Sequence, residues 1–453
     1  MSQFHKNIFK SKLLEAEAKL GFDFSEDIEG DTDLDTHTDF NNDDDDMRFI
    51  PSSTNTNTVT TVAGDIDETP LPWSDAFSNN DVYCNDEGYC FQTYFQPPCQ
   101  KSKKGIEIDN DNADNDDETP VIFIAHHGAG SCGLSFAELC QSVTLQSKEG
   151  QYFTTPGFFT FDARGHGNTN LINRGNEKLD AMNYNVSIKQ LVEDFRFLIN
   201  HLVKKLLTKY SKMSLFLIGH SLGGSVATKF TYDILVNKTI EFQYIGFIKG
   251  LTMIDIVEET AVSALGAMNS YLNNLPKSFK SIDAAVDWYL RNGLVNNVRS
   301  CRYSVPSLIY KDNNGVYKFV LDLRKTQQYW DDWFTGLSEQ FTKIPNSVSK
   351  LLILANNDYL DKNLIIGQMQ GKYQLIVFQS TANNMENYLT TSTKVINDSK
   401  KIGHFIHEDI PNKFSLSLLD FVERNDNGGF HREASNPQLD LINKLNKKWG
   451  VRK

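Results

Sequence analysis

Leu215-Phe216-Leu217-Ile218-Gly219-His220-Ser221-Leu222-Gly223-Gly224-Ser225-Val226-Ala227 is the stretch that decides the architecture. Leu215 to Ile218 is a short, uninterrupted apolar run, the mark of a strand buried on both faces. Leu222 to Leu235, with Val226, Phe230 and Leu235 on one side, reads as a helix. Between the two stands a G-x-S-x-G. A serine at a strand-to-helix turn has a strained backbone, and its flanking glycines are needed because a Cβ there would clash as the chain doubles back. The turn exposes the Ser221 Oγ beside a helix N-terminus, where developing negative charge is favoured. A glycine-rich turn without chemistry is the competing reading. The strand before and the helix after favour a nucleophile.

Working outward, the same alternation recurs. Val121 to Ala125 and Phe158 to Phe161 are further buried strands, and Gly250 to Ile256, Leu351 to Ala355 and Leu375 to Phe378 read as strands too. Ser187 can cap a helix reaching about Leu207, with Ile188, Leu191, Val192, Phe195, Leu198 and Leu202 as its apolar stripe. Strands alternating with helices predict an α/β fold, a mostly parallel central sheet with helices on both faces. Residues 258–345 break the pattern. They are helix-rich, carry Trp288, Trp330 and Trp333, and read as a helical lid inserted above the sheet. Tyr89, Phe91, Thr93 and Phe95 alternate as an edge strand would.

A serine nucleophile needs an oxyanion site and a base. His127-Gly128-Ala129-Gly130 follows the first buried strand, where small residues let the backbone approach a tetrahedral intermediate. The N–H groups of Ala129 and Leu222 are the expected donors, with Gly130 the alternative to Ala129. A phosphate loop is excluded because no Lys-Ser/Thr follows the glycines. In this architecture the base is a histidine beyond the serine. His404, His407 and His431 qualify, and Gly403 beside His404 gives that loop the freedom it needs. His407 could instead cap the final helix, and His431 lies in a polar tail. For the acid, Asp255 ends the fourth parallel strand among apolar neighbours, while Asp358 and Asp361 follow the fifth. Chemistry alone leaves these alternatives open.

Composition sets the frame. The chain has 453 residues and a formal net charge of −13. That average hides an asymmetry: Met1–Pro120 holds 28 acidic and 8 basic residues, the rest 30 acidic and 37 basic. Residues 1–69 thus read as an acidic, largely disordered arm, with a second acidic run from Asp109 to Glu118. No apolar run reaches the ~20 residues of a membrane helix, and the first residues lack the apolar core of a secretory signal. Cys84, Cys90, Cys99, Cys132, Cys140 and Cys301 are sparse, without Cys-x-x-Cys spacing, so an intracellular protein with free thiols is expected. No metal, cofactor, nucleic-acid or membrane partner is expected.

Taken together, several segments resemble the protein phosphatase methylesterases, relatives of the α/β-hydrolases. They are Pro72-Trp73-Ser74, HGAGSCGLSF from His127, DARGHG from Asp162, the serine turn, MIDIVEETA from Met253, and KSFKSIDAAVDW from Lys277. YWDDWFTGLS from Tyr329, LDKNLIIGQMQGKYQ from Leu360 and GHFIHED from Gly403 complete the set. The likeness spans residues 70–425 and implies an α/β-hydrolase fold. It implies an enzyme that hydrolyses the methyl ester on the C-terminal leucine of the protein phosphatase 2A catalytic subunit. By motif it makes Ser221 the nucleophile, His404 the base and Asp255 the acid. It also implies stable phosphatase binding, so a phosphatase-binding scaffold, or a small-molecule esterase of the same fold, are the other readings. The insert at 380–400, the arm and the tail at 426–453 have no counterpart in the resemblance.

Overall fold

The computed structural model describes residues 69–100, 119–150, 152, 154–356, 359–380, 402–426 and 430. The acidic arm, the run from Asp109 to Glu118, Asp358, His431, nearly all of the insert and most of the tail lie outside the described residues.

Eight strands form one sheet. They are β1 (Asn79–Cys84), β2 (Cys90–Gln96), β3 (Val121–His126), β4 (Gly157–Phe161), β5 (Ser214–His220), β6 (Ile248–Ile254), β7 (Ser349–Ala355) and β8 (Gln374–Phe378). Their spatial order is β1-β2-β4-β3-β5-β6-β7-β8. Strands β3 to β8 run parallel, and β2 is antiparallel to both its neighbours. Burial on two sides explains the unbroken apolar runs of β3 and β5. Ile122, Ile124, Leu215 and Leu217 enter one core, while Phe123, Ala125, Phe216 and Ile218 enter the other.

Helices cover both cores. Ile188–Leu206 starts where Ser187 Oγ accepts the Gln190 N–H at 3.4 Å, and its stripe is buried as the spacing predicts. Phe195 in that stripe meets Phe161, Phe230 and His126, an aromatic contact set that contributes about 2–3 kcal/mol through apolar burial. On the opposite face, Ala137–Glu149 packs against Pro411–Asn425. Between β6 and β7 the chain is mainly short helices with one small hairpin, Ile309–Lys311 against Tyr317–Phe319.

Two expectations need correction. The segment containing Phe91 to Phe95 is not an edge strand: β2 is paired on both sides, β1 forms the edge, and Gln92 and Tyr94 are buried too. Nor are all six cysteines thiols. The β1–β2 register sets Cys84 opposite Cys90, Cα atoms 4.0 Å apart, and they form a disulfide. Residues six apart cross a hairpin turn, and the sequence spacing did not reveal that register.

Candidate active site

Ser221 sits between β5 and helix Leu222–Tyr232 with φ 51° and ψ −120°. That conformation is rare for a residue with a Cβ and costs about 1–3 kcal/mol. Tight packing holds it: a side chain on Gly219 would strike the Gly223 carbonyl, and one on Gly223 would strike the His126 carbonyl. The Ser221 N–H donates to Ile254 C=O at 3.0 Å, which fixes the turn to the end of β6.

Asp255 follows directly on β6 and also has a positive φ, 49°. This turn aims the carboxylate sideways, so Oδ1 accepts the Ala355 N–H at 2.9 Å and Oδ2 lies 2.8 Å from His404 Nδ1. A carboxylate can only accept, so Nδ1 carries a proton, and in the neutral ring Nε2 is the nitrogen with the free lone pair. The Asp255 side chain is 4% exposed and the His404 side chain 30%. The imidazole therefore has one buried end and one end open to the cavity. Asp361 takes another place altogether. It caps helix Lys362–Met369, accepting the Leu364 N–H at 3.0 Å and the Ser338 hydroxyl.

Ser221 and His404 line one cavity of about 510 Å³. Ala129 and Gly130 edge it from the loop after β3, and Leu272, Tyr289, Leu308, Phe319 and Trp333 from the segment between β6 and β7. The Gly130 N–H is committed to His166 Nε2 at 3.0 Å. Leu222 opens its helix, so its N–H lies in the first turn, where amides lack intrahelical partners. Trp330 is buried and donates Nε1 to Thr326 Oγ1, whereas Trp333 reaches the cavity wall and donates to Val186 C=O.

Several buried polar groups pack around these residues, and for Asp162, Arg164, Asp194, His126, His166 and His220 the sequence alone suggests no role. The Asp162 carboxyl accepts N–H groups from Gly133 and Asn168, both at 2.8 Å, and burial raises it to about 6. His127 Nε2 accepts the Ala163 N–H at 2.9 Å, which joins the loop after β3 to the loop after β4. Arg164 grips Asp194 through two bonds of 2.7 and 2.6 Å and lies over the Tyr89 ring. Burial lowers His126 and His166 to about 4 and His407 to about 3, so these imidazoles are neutral near pH 7. His407 is not a cap: it is buried within Ile406–Asp409, stacked on Phe136. His220 donates its Nε2–H to His404 C=O at 3.0 Å, a direct tie from the serine turn to the histidine loop. The DARGHG and GHSLGG motifs were the available signals, because buried polar residues beside glycines need partners.

The arrangement can activate a hydroxyl, accept its proton and stabilise an imidazolium. Comparison with known proteins fits that chemistry. The model of the Alpha/beta hydrolase family matches residues 121–385. The chain is similar to protein phosphatase methylesterase 1 of Kluyveromyces lactis, 40% identical, covering 81% of this chain and 80% of the relative. The same-named protein of Saccharomyces cerevisiae is 38% identical over 82% of each chain. That of Debaryomyces hansenii is 37% identical, over 78% and 77%. Among solved structures, a peroxisomal α/β-hydrolase from Saccharomyces cerevisiae matches with a TM-score of 0.50 at 12% identity, covering 83% of this chain and 95% of that one, a likeness of fold alone. This chain belongs to the α/β-hydrolase family and, within it, to the protein phosphatase methylesterase 1 family.

Proposed function

We propose that the chain is a serine carboxylesterase that removes the methyl ester from the C-terminal leucine of the protein phosphatase 2A catalytic subunit. The observation that carries the reading is the strained Ser221 sharing a cavity with His404, whose far nitrogen is 2.8 Å from Asp255. In this scheme Ser221 Oγ attacks the ester carbon while His404 Nε2 takes the hydroxyl proton. Asp255 holds the proton on Nδ1 and stabilises the imidazolium without becoming protonated itself. The N–H groups of Ala129 and Leu222 receive the oxyanion; removing one such donor typically costs about 3 kcal/mol of transition-state stabilisation. His404 then returns the proton to the leaving methoxide, methanol departs, and water hydrolyses the acyl-enzyme by the reverse proton path.

The names of the relatives support a phosphatase as the substrate. The apolar cavity wall supports a leucine side chain in the acyl pocket. No described helix is long and apolar enough to cross a membrane. The reading locates the enzyme inside the cell, in cytoplasm or nucleus, where a phosphatase would meet it. A fluorophosphonate probe tests the mechanism: an active esterase acquires the label on Ser221. A pure phosphatase-binding scaffold stays unlabelled. A small-molecule esterase is labelled but shows no preference for the methylated phosphatase over short free esters.

A further inference from the structure

Among the described residues two carboxyl groups line the cavity. Asp322 is half-buried and paired with Arg324 at 2.8 Å. Glu408 is 1% exposed and has no ion pair among the described residues. The catalytic scheme leaves it without a task. Its neighbour Asp409 shows how a carboxyl is normally satisfied here, accepting N–H groups from Gly403, Asn296 and the Asn296 side chain at 2.7, 2.7 and 3.0 Å. Glu408 instead has a hydroxyl: its Oε2 lies 2.7 Å from Ser304 Oγ.

One hydroxyl proton on Ser304 has two acceptors within reach, Glu408 Oε2 and the Ser300 carbonyl, and which of them takes it decides what Glu408 can offer. A serine hydroxyl has one proton to give. Ser304 Oγ also lies 3.1 Å from the Ser300 carbonyl one helical turn back, and Ser300 Oγ donates to the Glu408 main-chain carbonyl at 2.8 Å. With the Ser304 proton directed to Ser300, the hydrogen between Ser304 and Oε2 comes from Glu408, which is then neutral. Burial favours that form: it pushes the Glu408 carboxyl well above the usual range, against a smaller opposing effect of Ser304 and with a further push from Asp409. A charge here would also work against the chemistry. The Cys132 thiol, two residues beyond Gly130, donates to Ser304 C=O at 3.4 Å, so the helix end that carries the Glu408 partner lies against the loop after β3.

We propose that Glu408 is a specificity-determining residue, a neutral carboxyl anchored to Ser304 that presents Oε1 to the cavity as an acceptor for the amide N–H of an α-acylamino ester. This rests on the serine-esterase reading above and deepens it. The acceptor selects the chemistry of a peptide chain end, because a simple ester has no N–H to give. An analogue with an oxygen in place of that N–H sets two lone pairs against each other and leaves the acceptor unpaired.

The test compares N-acetyl-leucine methyl ester with its acetoxy analogue, read as methanol release, in the wild type, Glu408→Gln and Glu408→Met. We expect the wild type to favour the amide by at least about 10-fold in kcat/KM, the factor that an unpaired buried acceptor produces. Glu408→Gln keeps a carbonyl acceptor and can donate its NH₂ to Ser304, so its preference stays within about threefold of wild type. Glu408→Met has similar length and no oxygen, and its preference falls close to one. An unselective wild type, an unchanged preference in Glu408→Met, or a lost preference in Glu408→Gln overturns the proposal. The Gln arm keeps the test decisive if the Met variant does not fold. Wild-type turnover of p-nitrophenyl acetate separates the two levels: turnover with no amide preference overturns the assignment of Glu408 alone, and no turnover of any of the three esters overturns the esterase reading with it.

Discussion

The turns that follow β6 and β7 use the same backbone device for different ends. Each begins with a non-glycine residue at positive φ, Asp255 at 49° and Asn356 at 56°. After β6 the device turns a carboxylate toward His404. After β7 it turns an amide toward the stem of the insert: Asn356 Nδ2 donates to Ile402 C=O at 3.0 Å, and its Oδ1 accepts the Ser380 N–H at 3.1 Å. The Ile402 N–H also donates to Ser380 Oγ at 2.9 Å, so the chain leaves and re-enters the fold at adjoining points. One turn aims Asp255 at His404, and the other holds the loop on which His404 stands. A strand end at left-handed φ is thus a way of aiming a short polar side chain, and the residue type decides what is aimed.

The comparison can be broken by exchanging the roles. Asp255→Asn should lower kcat on a peptide methyl ester by about 10⁴-fold, because an amide no longer fixes the proton on His404 Nδ1. A loss below tenfold would mean that Asp255 is not the acid. Asn356→Ala should lower kcat by about tenfold, since releasing the stem lets the histidine loop drift by a fraction of an ångström. If its kcat matches wild type while stability falls, the turn after β7 serves folding only. Replacing residues 383–398 by a short Gly-Ser linker should leave kcat/KM within about threefold, because Asn356 and Ser380 close the stem without those residues and loop length adds little closure cost. A hundredfold loss would mean that the insert itself shapes the site. Asp361→Asn is the smallest: steady-state kinetics should be unchanged and thermal unfolding shifted only slightly, since asparagine caps a helix as well as aspartate.

Much of this molecule can be read from its sequence. Strands such as Val121 to Ala125 lie between two cores and so leave long apolar runs, and a helix such as Ile188–Leu206 leaves a 3.6-residue stripe behind a serine cap. Ser221 and His404 stand out as candidates because glycines mark the turns around them. The proposed acid is not legible from chemistry alone. Asp255 and Asp361 both follow parallel strands, and what separates them is a backbone angle and a helix cap. Strand register leaves as faint a trace: the alternation in β2 does not show that it is paired on both sides, and the spacing of Cys84 and Cys90 does not show that they face each other. Glu408 is illegible for a third reason: its partner Ser304 is 104 residues earlier in the chain, brought to it only by packing.

The most direct measurement of the central claim is methanol release from the methyl-esterified phosphatase catalytic subunit, with wild-type protein and Ser221→Ala side by side. The account predicts one methanol per phosphatase chain with the wild type and none above background with the variant. Release by Ser221→Ala at the wild-type rate, or no release by a folded wild type that binds the phosphatase, would contradict it.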